Sequence, residues 1–328
     1  MLLTEPGRGC GCVSQERYVL VYYRITLVVM PDSICCRSRI TFNIEHMKEA
    51  AAVQLPDVLY HYCPSPALLE ILRSGVLWLT HQSGLNDLRE SVWVVPFIQD
   101  EIRRRRTDAT MEFLAQLGRQ FDINALSETY IASFSSDGDV LSQWRAYGMD
   151  GDGFAIGFRP QAFRAQLGTP MTSGVPEHTV GFLKVHYDNE MLKKKIAAIF
   201  DRHISAEQNG NNIIECSFKL RALALSFKNP AFREEDEWRV CYSPIITTHL
   251  EKRDLEILGM LRELRFRASR YGVLPYFHMP FGDNAREDAI AEIVVGPKNL
   301  SNDNLLKMLL LSLGYRKTSV RRSSASYR

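Results

Sequence analysis

The segment from residue 58 to 80 does most to restrict what this chain can become. Residues 58–62 (Val-Leu-Tyr-His-Tyr) carry the β-branched and aromatic side chains of a short strand, and Ser65-Pro66 follows as a helix cap with proline at the first helical position. Leu68, Leu69, Ile71 and Leu72 fall on one helical face, and Gly75 stands where a left-handed residue would close the helix. Residues 76–80 read as a second strand. Strand, short amphipathic helix and strand in immediate succession require a sheet with a helix packed on it.

The remaining pattern extends that frame. Residues 88–106 and 111–120 alternate apolar and charged faces as helices do, 130–135 read as a strand, and 139–147 as a turn of helix. Strands are expected at 153–158 and 180–187, where aromatic and β-branched residues recur, and again at 238–242, 273–278 and 292–295. A helix over 303–313 and a strand near Val320 close the chain. Residues 189–228 are helical by period, broken at Gly210-Asn211-Asn212, which predicts two helices packed as a hairpin. The expected fold is therefore α+β, with one domain over residues 47–328 and the helical segment at about 188–228 inserted on its sheet. The first 46 residues differ: they hold four of the seven cysteines and no helix period, and Met47 opens a plausible start, so they read as a non-native or disordered extension.

Several classes are disfavoured. The 40 basic residues nearly cancel the 38 acidic ones, so a polyanionic partner would have to be met locally. The longest apolar run, residues 18–30, is interrupted by Arg24 and too short for a membrane helix. Seven cysteines without paired CxxC spacing predict reduced thiols and no zinc site, and the chain is expected in the cytoplasm with no membrane partner. Walker, GxGxxG, GxSxG and HExxH patterns are missing.

Several polar constellations remain. His61 ends the first strand, with Tyr60 and Tyr62 on the opposite face; its imidazole can orient a ligand hydroxyl or phosphate, or bond to backbone. In 84–90 (Gly-Leu-Asn-Asp-Leu-Arg-Glu), Asp87 suits a helix cap, while Asn86 and Glu90 can face a pocket. Ser133 and Ser135 share a strand face and can bond a ribose or phosphate. Trp144 can stack a base or fill core. Four consecutive acids, Glu234-Glu235-Asp236-Glu237, run into Trp238-Arg239. On a strand Glu235 and Glu237 share a face, and paired carboxylates suit polarising a nucleophile, stabilising positive charge at a sugar carbon or holding a metal. The alternative is a solvated acidic loop with Glu237 bridged to Arg239 or Lys228. The runs Arg103–Arg106 and Arg316, Lys317, Arg321, Arg322 and Arg328 read either as solvated basic ends or as phosphate contacts.

Taken in order, Leu59-Tyr-His-Tyr62, Leu85-Asn-Asp87 with Glu90, Ser133-Phe-Ser135, Trp144-Arg-Ala-Tyr147, Gly153-Phe-Ala-Ile-Gly-Phe158, Val185-His-Tyr187, Glu235-Asp-Glu-Trp-Arg239 and Gly296-Pro297 resemble domain-of-unknown-function family 2971, over about residues 55–328. Ser326 stands where that family's closing motif has proline. The opening unit, a strand ending in His-Tyr, a helix and Ser-Gly before a second strand, is also similar to ADP-ribosyltransferase folds. That resemblance implies a mixed, mostly antiparallel sheet with flanking helices, and NAD as the nucleotide. It implies His61 as the ribose clamp, Ser133 or Ser135 in the nicotinamide pocket, and Glu237, with Glu235, as the catalytic carboxylates. Tyr62, Asn86, Trp144 and Arg239 would complete the nucleotide site.

Three readings follow. The first is an ADP-ribosyltransferase-like enzyme that modifies a protein or nucleic acid as a toxin or phage-defence effector, with no metal. The second is a metal-dependent nuclease or hydrolase using Asp87, Glu90, Glu235 and Glu237. The third is a non-catalytic nucleotide- or nucleic-acid-binding module built on Trp144 and the basic segments.

Overall fold

The computed structural model describes residues 54–84, 93–120, 129–171, 175–205, 210–249, 254–269, 272–282 and 286–325. The expected N-terminal extension, Asn86, Asp87, Glu90 and Ser326 lie outside these residues. The opening unit forms strand β1 (Leu59–Cys63), helix α1 (Ser65–Ser74) and strand β2 (Val76–His81). Ser65 is not the cap: Pro64 holds that position, Ser65 begins the helix, and no side chain caps it. Gly75 ends α1 at φ 69°, and its N–H donates to the Ile71 carbonyl, so the left-handed terminus falls where a residue without Cβ permits it. Leu68, Ile71 and Leu72 are buried against the sheet, each contributing up to about 1.5–3 kcal/mol.

Helices α2 (Val95–Arg105) and α3 (Met111–Gln120) precede strand β3 (Tyr130–Ser135). Helix α4 (Leu141–Ala146) leads to β4 (Phe154–Phe158), the two-residue β5 (Gln166–Leu167) and β6 (Val180–Lys184). Two 17-residue helices, α5 (Asn189–Ser205) and α6 (Gly210–Ser226), follow. Next come β7 (Glu237–Tyr242), β8 (Ile245–His249), β9 (Asp254–Leu258), β10 (Arg265–Ser269) and β11 (Gly272–Pro280). Helix α7 (Arg286–Ala289), β12 (Ile290–Val295), α8 (Asp303–Ser312) and β13 (Ser319–Arg322) complete the described chain.

The fold is mixed α+β on an open sheet of eleven strands, with β8 and β9 forming a separate ribbon. Pairing is antiparallel except for β12 with β13 and β5 with β6. One edge of β3 pairs with β7 along its whole length, Tyr130 opposite Tyr242 through Ser135 opposite Glu237. The other edge is shared: β2 takes Tyr130 and Ile131, and β1 meets Ser135 alone. The sheet therefore forks, with β1 and β2 parting on either side of residues 132–134.

Alternation sorts the side chains. Leu59, Cys63, Phe134, Ile156, Phe158, Trp238, Val240, Phe277 and Met279 build the main core on one face, under α1 and α8. On the other face α2, α3, α5 and α6 form a second core through residues such as Ile98, Leu117, Ile196 and Leu220. Ile131, Leu183, Leu225 and Cys241 join that bundle to the sheet, and Trp144 of α4 packs with Tyr62, Ala155 and Val294. Cys63, Cys216 and Cys241 are buried free thiols. No helix among the described residues is long and apolar enough to cross a membrane.

Candidate functional site at the fork of the sheet

Between the bundle and α4, on the face opposite the main core, the fork opens into a cavity of about 270 Å³. The carbonyl of Ser133 falls in the gap where neither β1 nor β2 reaches β3. The ring of His61 fills that role, with Nδ1 3.0 Å from the Ser133 carbonyl oxygen. A carbonyl can only accept, so Nδ1 carries the proton. Burial holds the imidazole below its ordinary pKa, against the opposing effect of this bond, and a neutral ring leaves Nε2 as an acceptor. His61 thus makes the backbone bond that the sequence left open, and its free ring nitrogen offers a ligand a lone pair. Although it shares a strand face with Leu59 and Cys63, its place at the fork puts it in the cavity wall.

The floor is a buried cluster of two acids and two bases. Asn229 caps the 3₁₀ turn Pro230–Glu235, its side chain accepting from the Ala231 N–H, and Asp236 follows at φ 41°, in the left-handed region. Glu235 therefore lies on a turn, not on the strand with Glu237 as alternation predicts. The two carboxylates still converge, because Lys228 Nζ bonds both: it lies 3.2 Å from Glu237 Oε2 and contacts Glu235 Oε2. Arg239 forks onto Glu237, Nε to Oε1 and Nη2 to Oε2, both at 2.9 Å, and gives Nη1 to the Leu225 carbonyl at 3.0 Å. Arg239, Lys228 and Glu237 are 2, 4 and 5% exposed, so this network is shielded from solvent screening.

Burial pushes the Glu237 carboxyl up and Lys228 opposes it; burial also pulls the Arg239 guanidinium down to about 10. For Lys228 burial lowers the pKa, but Glu237 and Glu235 outweigh it and hold the ammonium above its ordinary range. Both cations are charged at neutral pH, and a carboxylate accepting from both is ionised there. The Ser133 hydroxyl also favours the charged form of Glu237. A carboxylate has about four acceptor positions, and two guanidinium bonds and one ammonium take three of those of Glu237. Glu235 accepts from Lys228 and from the Tyr147 hydroxyl, 3.1 Å away, and keeps spare capacity. Burial, and then the Glu235 charge, push the Tyr147 phenol up to about 12, so it stays a donor across the neutral range.

The structure brings His61, Tyr62, Ser133, Ser135, Glu235 and Glu237 into one cavity wall. Tyr62 contributes its ring while its hydroxyl, donating to the Asp137 carbonyl and accepting from the Val140 N–H, is used in the fold. Two expected ligand contacts are not in that wall. Trp144 is 0% exposed, packs edge-on to Tyr62 at 4.8 Å and donates Nε1 to Asp139, so it is core and not a stacking platform. Arg239 lies beneath the floor, spent on Glu237. The cavity also includes Trp78, Thr80, Gln143 and Arg267, which the sequence reading passed over. Arg267 alternates with Phe266 and Ala268 along β10, and it is the pairing of β10 through β11 to β2 that carries it to the fork.

The basic runs are locally neutralised. Arg103, Arg104 and Arg105 pair with Asp100, Glu101 and Asp201, while Lys317, Arg321 and Arg322 pair with Asp288, Glu292 and Asp303. No three His, Cys, Asp or Glu side chains cluster as a metal site among the described residues. The two carboxylates at the fork are in addition already matched by two cations.

Fold and site together define a mixed α+β protein with a neutralised ionic floor beneath a polar cavity. Residues 143–240 match the family model described as Protein of unknown function (DUF2971). The matched stretch contains Gln143, Tyr147, Lys228, Glu235, Glu237 and Arg239, so it holds the whole ionic floor; His61, Trp78, Ser133 and Arg267 lie outside it. No curated protein and no solved structure matches the chain.

Proposed function

We propose that the fork cavity is the active site of an ADP-ribosyltransferase-like enzyme that takes NAD as substrate and transfers its ADP-ribosyl group to a protein or nucleic acid. In this reading the forked sheet is an ADP-ribosyltransferase-like sheet, and α5 with α6 is a helical-hairpin insertion on it. The observation that carries the reading is the convergence of a neutral histidine, two serines and a pair of glutamates on one cavity formed where strands part. Volume sets a limit: small-molecule sites run from about 300 to 1,000 Å³, so about 270 Å³ encloses a ring with its ribose and not a complete dinucleotide.

The roles follow from hydrogen-bond capacity. His61 Nε2 accepts from a ribose hydroxyl. Glu237, held by Arg239 and Lys228, acts as a positioning residue that fixes Lys228 and with it Glu235. Glu235 is the carboxylate with more capacity left for the reacting atoms. As the bond from the pyridinium nitrogen to the anomeric carbon breaks, its electron pair leaves with neutral nicotinamide, and positive charge grows on the sugar facing Glu235. The acceptor's nucleophilic atom bonds that carbon and passes its proton to Glu235. Tyr147, donating to Glu235, orients it. Nicotinamide release and transfer of labelled ADP-ribose test the proposal: Glu235→Gln is expected to lose at least about 100-fold in rate while its circular dichroism spectrum shows it folded. Native rates in that variant would end the reading.

A further inference from the structure

In the proposed reading the cavity encloses only one end of a dinucleotide, so the other half of the substrate has to lie along its open rim. One feature of the rim remains without a role. Trp78 on β2 is 37% exposed, an unusual position for an indole on a strand whose neighbours Leu77 and Leu79 are 2 and 0% exposed. It sits in an aromatic row built by cross-strand pairing: His278, its direct partner on β11, lies nearly parallel at 6.3 Å and 13°, and Tyr276 is 4.6 Å away. The Arg267 guanidinium stands 5.7 Å from the indole centre and donates to the Thr80 hydroxyl at 3.2 Å. Its Nε is buried with no hydrogen-bond partner among the described residues.

Trp78, Thr80 and Arg267 line the same cavity as Glu235 and Ser133. They are on the same sheet face, since Thr80 pairs with Ile131, two residues from Ser133. The nearby Arg265 is paired with Glu263 at 2.5 Å, whereas Arg267 has no carboxylate partner in the described structure. An exposed indole beside a guanidinium with a buried, unsatisfied donor fits a ligand that joins a flat ring to a multivalent anion. A nucleoside diphosphate is such a ligand.

We infer that Trp78 and Arg267 form a subsite for the nucleoside diphosphate half of the substrate, the base packing on the exposed part of the indole and the diphosphate taken by the Arg267 guanidinium. This rests on the proposed transferase reading for which nucleotide is bound, and adds where its distal half lies. It places the reactive end towards His61 and Glu235 and the diphosphate at the Arg267 rim.

Calorimetric titration of the full chain with ADP, which has no nicotinamide and cannot react, tests the subsite apart from the chemistry. ADP is expected to bind the native protein and Glu235→Gln alike. Arg267→Gln and Trp78→Leu should each weaken binding about tenfold, Trp78→Phe restoring much of the loss. Adenosine should be indifferent to Arg267→Gln. Thermal melts identify any variant that fails to fold, and for such a variant Arg267→Lys or Trp78→Phe takes its place. ADP binding that ignores both positions, or no ADP binding by the folded native chain, overturns the subsite even if NAD is consumed. ADP binding through Trp78 and Arg267 without nicotinamide release upholds the subsite and defeats the transferase reading alone.

Discussion

Replacing Glu237 by glutamine should unfold the site before it reports on chemistry. In the native chain Glu237 takes two 2.9 Å bonds from Arg239 and a 3.2 Å bond from Lys228, all in a region at most 5% exposed. An amide of the same shape loses the charge and turns a donor NH₂ towards one of two donors. Lys228 can fall back on Glu235, but Arg239 loses the carboxylate that takes both its Nε and its Nη2. Removing one partner of a buried ion pair costs about 3–5 kcal/mol, a large share of a total that is typically about 5–15 kcal/mol. At roughly 2 °C per kcal/mol for a chain of this size, the melting temperature should fall by about 6–10 °C. Urea unfolding followed by circular dichroism gives the free energy directly. Adding Arg239→Met should return at least half of the loss, because a buried pair replaced by apolar groups is often neutral while a single orphaned charge is not. A single variant within about 1 kcal/mol of native, or strict additivity in the double variant, would refute the description of Glu237 as an ion-paired, positioning carboxylate.

Two further outcomes are expected. Burial places the folded-state pKa of His61 below the ordinary 6.5, so the unfolded chain binds more protons between the two values and stability falls as pH drops below about 6.5; His61→Asn should flatten this part of the stability–pH curve, and an unchanged slope would contradict the neutral assignment. Asp139 accepts from Trp144 Nε1, the Ser324 N–H and the Ser323 and Ser324 hydroxyls, which together outweigh burial and hold it below 3.8; its stabilising effect is complete above 3.8 and lost as pH falls through the lower folded value, so Asp139→Ala should cost about 1–3 kcal/mol at neutral pH and much less in strong acid, as measured by unfolding at both pH values.

Local chemistry made much of the fold readable. Strand 130–135 and helix 111–120 fall within the bounds set by side-chain pattern, and Gly75 ends α1 in the left-handed conformation its position implies. The ribbon β8–β9 went unread although Asp254-Leu-Glu-Ile257 alternates polar and apolar residues; it pairs apart from the main sheet, and Leu255 and Leu258 are both 41% exposed. At the site the residue types were legible and their geometry was not. Sequence brought Glu235 and Glu237 together through strand alternation, whereas a left-handed Asp236 and a shared lysine do so in the structure. A non-glycine residue at positive φ leaves little trace in sequence. Trp144 could be platform or core until its partners, Asp139 and Tyr62, were known, and both choices use the same apolar setting. Arg267 reaches the cavity only through pairing with strands almost two hundred positions earlier, which no local pattern encodes.

Because β1 and β2 part where they meet β3, the Ser133 carbonyl needs a donor from outside the ladder, and position 61 supplies it. Any side chain there must therefore donate in the plane of the sheet for the strand gap to persist. Asparagine and glutamine meet that demand and can keep the architecture; an imidazole holds its acceptor lone pair across a rigid ring from the donor, where an amide oxygen sits beside its own NH₂. In the proposed reading one side chain thus answers to two selections, for folding and for recognition. A descendant that has given up its substrate would be expected to retain an amide at position 61, with little sign of the change in its stability.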